Sequence, residues 1–240
     1  MELTIGYLYP DLCNLFGDKG NILALKNRLS RRNIDVKIKE YDISDTIDFD
    51  NIDILYMGAC SDKDMKIILE KLEDAKISLT DYVQNGKVLL AVCSGFEMLG
   101  NEIKTNDDIL KGLGILDISF KYGKKRCIGN IILKSDVIDN TIVGFENHYG
   151  VVTENKYSTL GNVIVGSGSD LSKKTEGIIN DNVIATYLHG PLLPKNPALT
   201  DYIIKKALHK KYGEVDLSPL DDKLEIKAHD YIKEKYTANK

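Results

Sequence analysis

The 240-residue sequence contains no tryptophan, five prolines, four cysteines and only four arginines. The cysteines (Cys13, Cys60, Cys93 and Cys127) form no CxxC pair, so zinc-ribbon and thioredoxin-type readings have no support. In a reducing compartment they are expected to be free thiols, acting mostly as small buried hydrophobes. No apolar run approaches the roughly 20 residues that a membrane-spanning helix needs. Met1 to Pro10 lacks the basic-then-apolar order of a secretory leader. A cytoplasmic protein with no stable membrane insertion is therefore expected. Positive charge is not in excess either. With 32 Lys+Arg against 36 Asp+Glu, the net charge of -4 gives no general reason to bind nucleic acid or an anionic membrane. At 43% hydrophobic and 28% charged, the chain is too apolar for disorder and can bury a substantial core. No internal repeat, low-complexity tract or Pro/Ser linker divides it, so one domain over residues 1–240 is expected.

The hydrophobic pattern orders the elements. Leu3 to Leu8 is β-rich, and Ile22, Leu25 and Leu29 share one face of a helix with basic residues at its end. Val36 to Tyr41 alternates as a half-exposed strand. Ile52 to Met57 and Val88 to Val92 are short apolar runs, read as buried strands. Asp62 to Leu72 is helical by spacing, with another turn from Leu79 to Val83. This order favours an α/β fold with a mostly parallel central sheet flanked by helices. Beyond Gly112 come short β-rich segments at 115–120, 128–133, 142–145, 163–165 and 183–187. Helices at Pro197 to Lys211 and Asp222 to Lys235 close the chain.

Val88 to Val92 runs straight into Cys93-Ser94-Gly95 and a helical stretch. A nucleophile on a sharp strand-to-helix turn needs small residues two places to either side, and Ala91 and Gly95 meet that need. Such a turn exposes the thiol at the carboxyl end of the sheet, where open α/β folds place ligands. The helix N-terminus is expected to lower the thiol pKa, and the Ser94 amide to face a developing oxyanion. The alternative is a buried cysteine at a strand end. Of the possible bases, His209 and His229 lie among charged helical residues and read as solvated. His148 sits in a polar turn, Gly144 to Gly150, and His189 lies just past a strand end. Position favours His189, and His148 stays open. A zinc site on Cys60, Cys93 and His189 lacks any closely spaced ligand pair. Arg28, Arg31 and Arg32 read as a solvated helix face. Arg126 stands alone in the remaining three-quarters of the chain, and its planar fork suits a carboxylate, against the alternative of an ordinary surface arginine.

These residues lie in a wider set of motifs: Asn14 to Ile22 (NLFGDKGNI), Gly58 to Asp62 (GACSD), Val92 to Gly95 (VCSG), Gly112 to Leu116 (GLGIL), Gly144 to His148 (GFENH) and Thr186 to Pro191 (TYLHGP). With them the chain resembles class I glutamine amidotransferases of the CobB/CobQ-like branch (flavodoxin-like fold), and within it the glutaminase subunits of lipid II isoglutaminyl synthases. The resemblance covers nearly the whole chain. It implies Cys93 as nucleophile, His189 as its base and Arg126 as the holder of L-glutamine, with oxyanion donors from the backbone of Ser94, Gly58 and Ala59. No cofactor or metal is implied. Glutamine would be hydrolysed through a thioester to glutamate and ammonia. No GxxxxGK[ST] phosphate loop occurs in the sequence. Carboxylate activation would therefore fall to a partner, which the resemblance identifies as a Mur-ligase-like, ATP-dependent synthetase in a heterodimer. That partner would amidate D-glutamate of lipid II in peptidoglycan synthesis.

Three positions depart from the family pattern. Pro191 stands where an acid usually follows the histidine, so a backbone carbonyl or a partner carboxylate is expected to orient His189. Glu97 replaces the familiar glutamine. Gly58-Ala59-Cys60 replaces a glycine-richer turn, with Cys60 read as a packing substitution. The alternatives are amidation of the cobyrinic or cobyric acid type, a non-catalytic partner-binding scaffold, another cysteine hydrolase, or a thiol sensor.

Overall fold

The computed structural model describes residues 1–238. Two β-sheets carry the fold. The first has the order β11-β12-β4-β3-β1-β2. It comprises β1 (Glu2–Leu8), β2 (Asp35–Tyr41), β3 (Ile54–Met57), β4 (Val88–Val92), β11 (Ile178–Asn180) and β12 (Val183–Thr186). All its pairings are parallel except β11 with β12. Strands β3, β4 and β12 are buried along their whole length, as sheet interiors covered on both faces require. The α/β sheet flanked by helices is thus as the apolar runs foretold.

The helices are α1 (Lys19–Ser30), α2 (Asp62–Gln84), α3 (Ser94–Met98), α4 (Pro197–Tyr212) and α5 (Lys223–Thr237). Helix α2 is one continuous element where the spacing suggested two pieces. Polar residues from Glu73 to Ser78 blur the stripe, but Leu69, Leu72 and Leu79 still bury one face. Its start is fixed by Ser61, whose Oγ accepts the Asp64 N–H at 3.1 Å. No helix among the described residues is long and apolar enough to cross a membrane.

Of the three arginines at the end of α1, Arg31 is exposed as expected, but Arg28 and Arg32 are not solvated. Arg28 is 5% exposed and binds Asp201 and Asp222 through four hydrogen bonds of 2.6–2.9 Å. Arg32 also grips Asp201. Planar forks match carboxylates bidentately, so these pairs bolt α1 to α4 and to the start of α5. His229 is likewise buried: Thr141 Oγ1 lies 2.8 Å from Nε2 and the Lys195 carbonyl 2.9 Å from Nδ1. Position among charged residues concealed both contacts, because the partners lie far off in sequence.

The second sheet contains β5 (Glu102–Lys104), β6 (Ile109–Lys111), β7 (Ser119–Ser135), β8 (Thr141–Glu154), β9 (Gly161–Val165) and β10 (Thr175–Glu176). Expected short segments fuse into the long β7 and β8 pair. Gly144 to Gly150, read as a polar turn, is strand. Its alternate residues Glu146 and His148 point into a buried polar cluster, which masks the usual apolar alternation. The β7–β8 register shifts twice, once between Ser119 and Phe120 and again after Tyr122: Tyr122 pairs with Gly150 and Cys127 with His148, so Gly123 to Arg126 bulge out opposite Tyr149. One apolar cluster runs continuously from β1 and β4 to Ile131, Leu133 and Ile142 of this sheet.

Candidate active site

Strand β4 ends at a strained residue. Cys93 has φ 55° and ψ -114°, a conformation costly for any residue with a Cβ. It is held there from both sides. Its N–H donates to the Thr186 carbonyl at 2.8 Å, and a Cβ on Gly95 would lie 2.5 Å from the Met57 carbonyl oxygen. Small residues at the elbow are therefore a steric requirement. Ser94 Oγ donates to the Cys60 carbonyl at 2.8 Å and accepts the Cys60 N–H at 3.2 Å, which locks the Gly58-Ala59-Cys60 turn to the elbow.

Cys93 opens into a cavity of about 220 Å³ lined also by Phe16, Ser94, Glu97, Arg126 and Tyr149. The thiol does not have the lowered pKa expected of a helix N-terminus. Burial raises it well above its ordinary value, and the nearby Glu97 and Asp18 carboxyls add to the rise. The Ser94 amide acts the other way, but α3 is a five-residue helix and cannot offset desolvation.

His189 is completely buried beside the elbow. Thr186 pairs with Val92 in parallel register, so Cys93 and His189 follow the carboxyl ends of adjacent strands. The His189 backbone exchanges two 3.0 Å hydrogen bonds with Phe145. Neither ring nitrogen has a partner of good hydrogen-bond geometry among the described residues, although the Asn147 backbone carbonyl lies where it favours the protonated ring. Burial pushes its pKa down to about 4, with His148 next; the Asn147 backbone carbonyl pulls upward more than Arg126 pushes down, and Glu146 adds a smaller upward pull. The ring is neutral at pH 7 and free to accept a proton. His148 also reaches the cavity, but its Nδ1 lies 2.7 Å from the Gly150 carbonyl and its ring stacks on Tyr187 at 3.9 Å. Those contacts tie it into the β8 strand.

Arg126 stands on the β7 bulge with its guanidinium over the Tyr149 ring, 5.4 Å from the centroid. The bulge turns an exposed strand residue toward the cavity mouth. Glu97 is fully enclosed at the cavity wall, where its Oε1 accepts the Tyr187 O–H at 2.7 Å. Burial pushes its pKa up to about 7, so half of it is a neutral acid near that pH. In that form it offers one donor and one acceptor, as an amide side chain does.

Among the oxyanion candidates, the Ser94 amide faces the thiol. The Ala59 N–H is engaged: it donates to Asp18 Oδ2 at 2.6 Å. Asp18 is completely buried, and burial pushes its pKa up to about 7 against the pull of that bond. Reading the sequence for chemistry missed Asp18. Its only signal was membership of the NLFGDKGNI motif.

Known proteins match on both sequence and shape. Residues 4–197 match the pattern of the CobB/CobQ-like glutamine amidotransferase domain. The chain is 40% identical over 228 residues to the lipid II isoglutaminyl synthase (glutamine-hydrolyzing) subunit GatD of Staphylococcus aureus, covering 95% of this chain and 93% of that one. Identity to the subunit of the same name from Streptococcus pneumoniae is 35% over 216 residues, covering 89% and 83%. A glutamine amidotransferase crystal structure superposes with a TM-score of 0.59 at 16% identity, over 85% of this chain and 98% of that one. With that pattern matched over most of its length, the chain belongs to the CobB/CobQ-like glutamine amidotransferase family.

Proposed function

We propose that this chain is the glutaminase subunit of a lipid II isoglutaminyl synthase. It hydrolyses L-glutamine and passes the ammonia to a Mur-ligase-like, ATP-dependent synthetase that amidates D-glutamate of lipid II, in the cytoplasm and without membrane insertion of its own. The observation that carries this reading is the 40% identity to the S. aureus subunit along nearly its whole length, with a strained cysteine elbow intact.

The chemistry follows from the two protonation states. Cys93 rests as a thiol and His189 as a neutral imidazole. As Sγ attacks the side-chain amide carbon of glutamine, His189 takes the thiol proton and hands it to the departing nitrogen, which leaves as ammonia. His189 then draws a proton from water, whose oxygen attacks the thioester; glutamate and the thiol return. The Ser94 and Gly58 amides stabilise the oxyanion, and Ala59 joins them once Asp18 releases its N–H. Each such donor is worth about 3 kcal/mol. Arg126 holds the glutamine α-carboxylate. Free ammonia would protonate in bulk water, so it travels to the synthetase under cover.

The test is glutamate release from glutamine and amidation of lipid II, measured with and without the synthetase, for wild type and Cys93→Ala. Both products should vanish in Cys93→Ala. Persistence of either defeats the proposal. Amidation of a corrinoid carboxylate instead would move it to the cobyric acid type.

A further inference from the structure

Leu15–Gly17 forms a single 3-10 turn between β1 and α1, and the chemistry above makes no use of it. Yet its neighbouring contacts all land on the site. The Leu15 N–H donates to the Ala59 carbonyl at 3.1 Å, and the Ala59 N–H returns to Asp18 Oδ2 at 2.6 Å. The turn is therefore clasped to the oxyanion loop at both ends. Just beyond, Gly20 packs so closely on the Pro191 ring that a Cβ there would collide with it. Between the clasps, Phe16 has φ 63° and ψ 16°, left-handed for a residue with a Cβ, and Gly17 follows at φ 78°. Such backbone persists only where its surroundings over-determine it. The result is that the Phe16 ring lies flat on His189, with centroids 4.3 Å apart and an interplanar angle of 13°. Phe145 meets the imidazole at 6.2 Å and 54°.

We propose that Phe16 is a positioning residue for His189: its stacked ring fixes the plane of the imidazole and screens it from water. The inference rests on His189 being the base. A histidine normally owes its orientation to a hydrogen bond at one ring nitrogen. Here no side chain hydrogen-bonds either nitrogen and the Asn147 carbonyl is a poorly aligned acceptor at most, while the flat stack on Phe16 is a direct ring-to-ring contact. The wall orients the ring and covers it from water, and that desolvation outweighs the weak attraction of an aromatic face for a cation. That agrees with a pKa held at about 4 by burial, His148 and Arg126 against the Asn147 carbonyl and Glu146. Phe16 also lines the cavity, so the same wall borders both base and substrate.

The test combines an NMR titration of the His189 ring in the full chain with glutamine turnover by the chain and its synthetase. Phe16→Ala should raise the His189 pKa by about one unit, a tenfold gain in proton affinity. It should lower kcat about tenfold or more, since a misplaced catalytic group is costly, and leave the KM for glutamine nearly unchanged. Phe16→Tyr keeps a flat ring and should restore both readings. An unmoved His189 titration in Phe16→Ala overturns the proposal, as does a loss confined to KM or a Phe16→Tyr as impaired as Phe16→Ala. The titration needs no turnover, so it still reads if the glutaminase assignment itself fails.

Discussion

A buried thiol is a poor nucleophile until its proton is removed, and Cys93 is surrounded by groups that hold the proton on. Glu97 is among them. Replacing it by glutamine keeps an acceptor for the Tyr187 O–H and removes the carboxyl charge, so Glu97→Gln should speed alkylation of Cys93 by iodoacetamide at pH 8. The same change alters stability. The folded state holds the Glu97 proton up to about 7, above the ordinary 4.5. Its contribution is thus fully present below pH 4.5 and is lost as pH rises through 7. Urea unfolding of wild type should show that decline, and Glu97→Gln should flatten it by on the order of 2 kcal/mol. Asp18, also raised to about 7, leaves a residual slope. Arg126 lines the cavity, and the proposed mechanism gives it the glutamine carboxylate. Arg126→Ala should raise the KM for glutamine roughly thirtyfold, the equivalent of about 2 kcal/mol for charged hydrogen bonds, with kcat less affected. An unchanged KM would favour a hydrolase of another kind.

At the scale of elements, the geometry of the site depends on short-range steric and polar locks. The elbow needs Gly95, because a side chain there meets the Met57 carbonyl on β3. The β7 bulge lifts Arg126 clear of the ladder. Further off, the Arg28 clasp joins α1 to Asp201 on α4 and to Asp222 before α5. Arg28→Ala leaves Asp222 without its fork and Asp201 with Arg32 alone, and should cost about 3 kcal/mol in urea unfolding.

At the scale of the molecule, the site draws on both sheets. Cys93 and His189 come from the parallel sheet, Arg126 and His148 from the second, and Phe16 from the β1–α1 connection. The His189 ring has no carboxylate hydrogen-bond partner among the described residues, and Pro191 stands two places after it. A synthetase that completes the site should therefore raise glutamine turnover. Full activity in the isolated chain, unchanged when synthetase is added, would sink that dependence while leaving the hydrolytic chemistry in place.

Buried parallel strands announce themselves as apolar runs, which is why Val88 to Val92 and the elbow after it were legible residue by residue. The same holds for small neighbours around a nucleophile, whose spacing is local. The isolation of Arg126 was visible, but the bulge that aims it was not, since a bulge is a relation between two strands. The buried roles of Arg28, Arg32 and His229 were hidden because their partners are 34 to 194 residues away. The thiol pKa was misjudged for a related reason: a helix N-terminus can be read from sequence, whereas desolvation is a sum over everything packed around the atom. Local sterics and periodicity determined the succession of strands and helices along the chain and the elbow. Only the tertiary structure decided the protonation of the site, because burial and long-range contacts set the cost of charge.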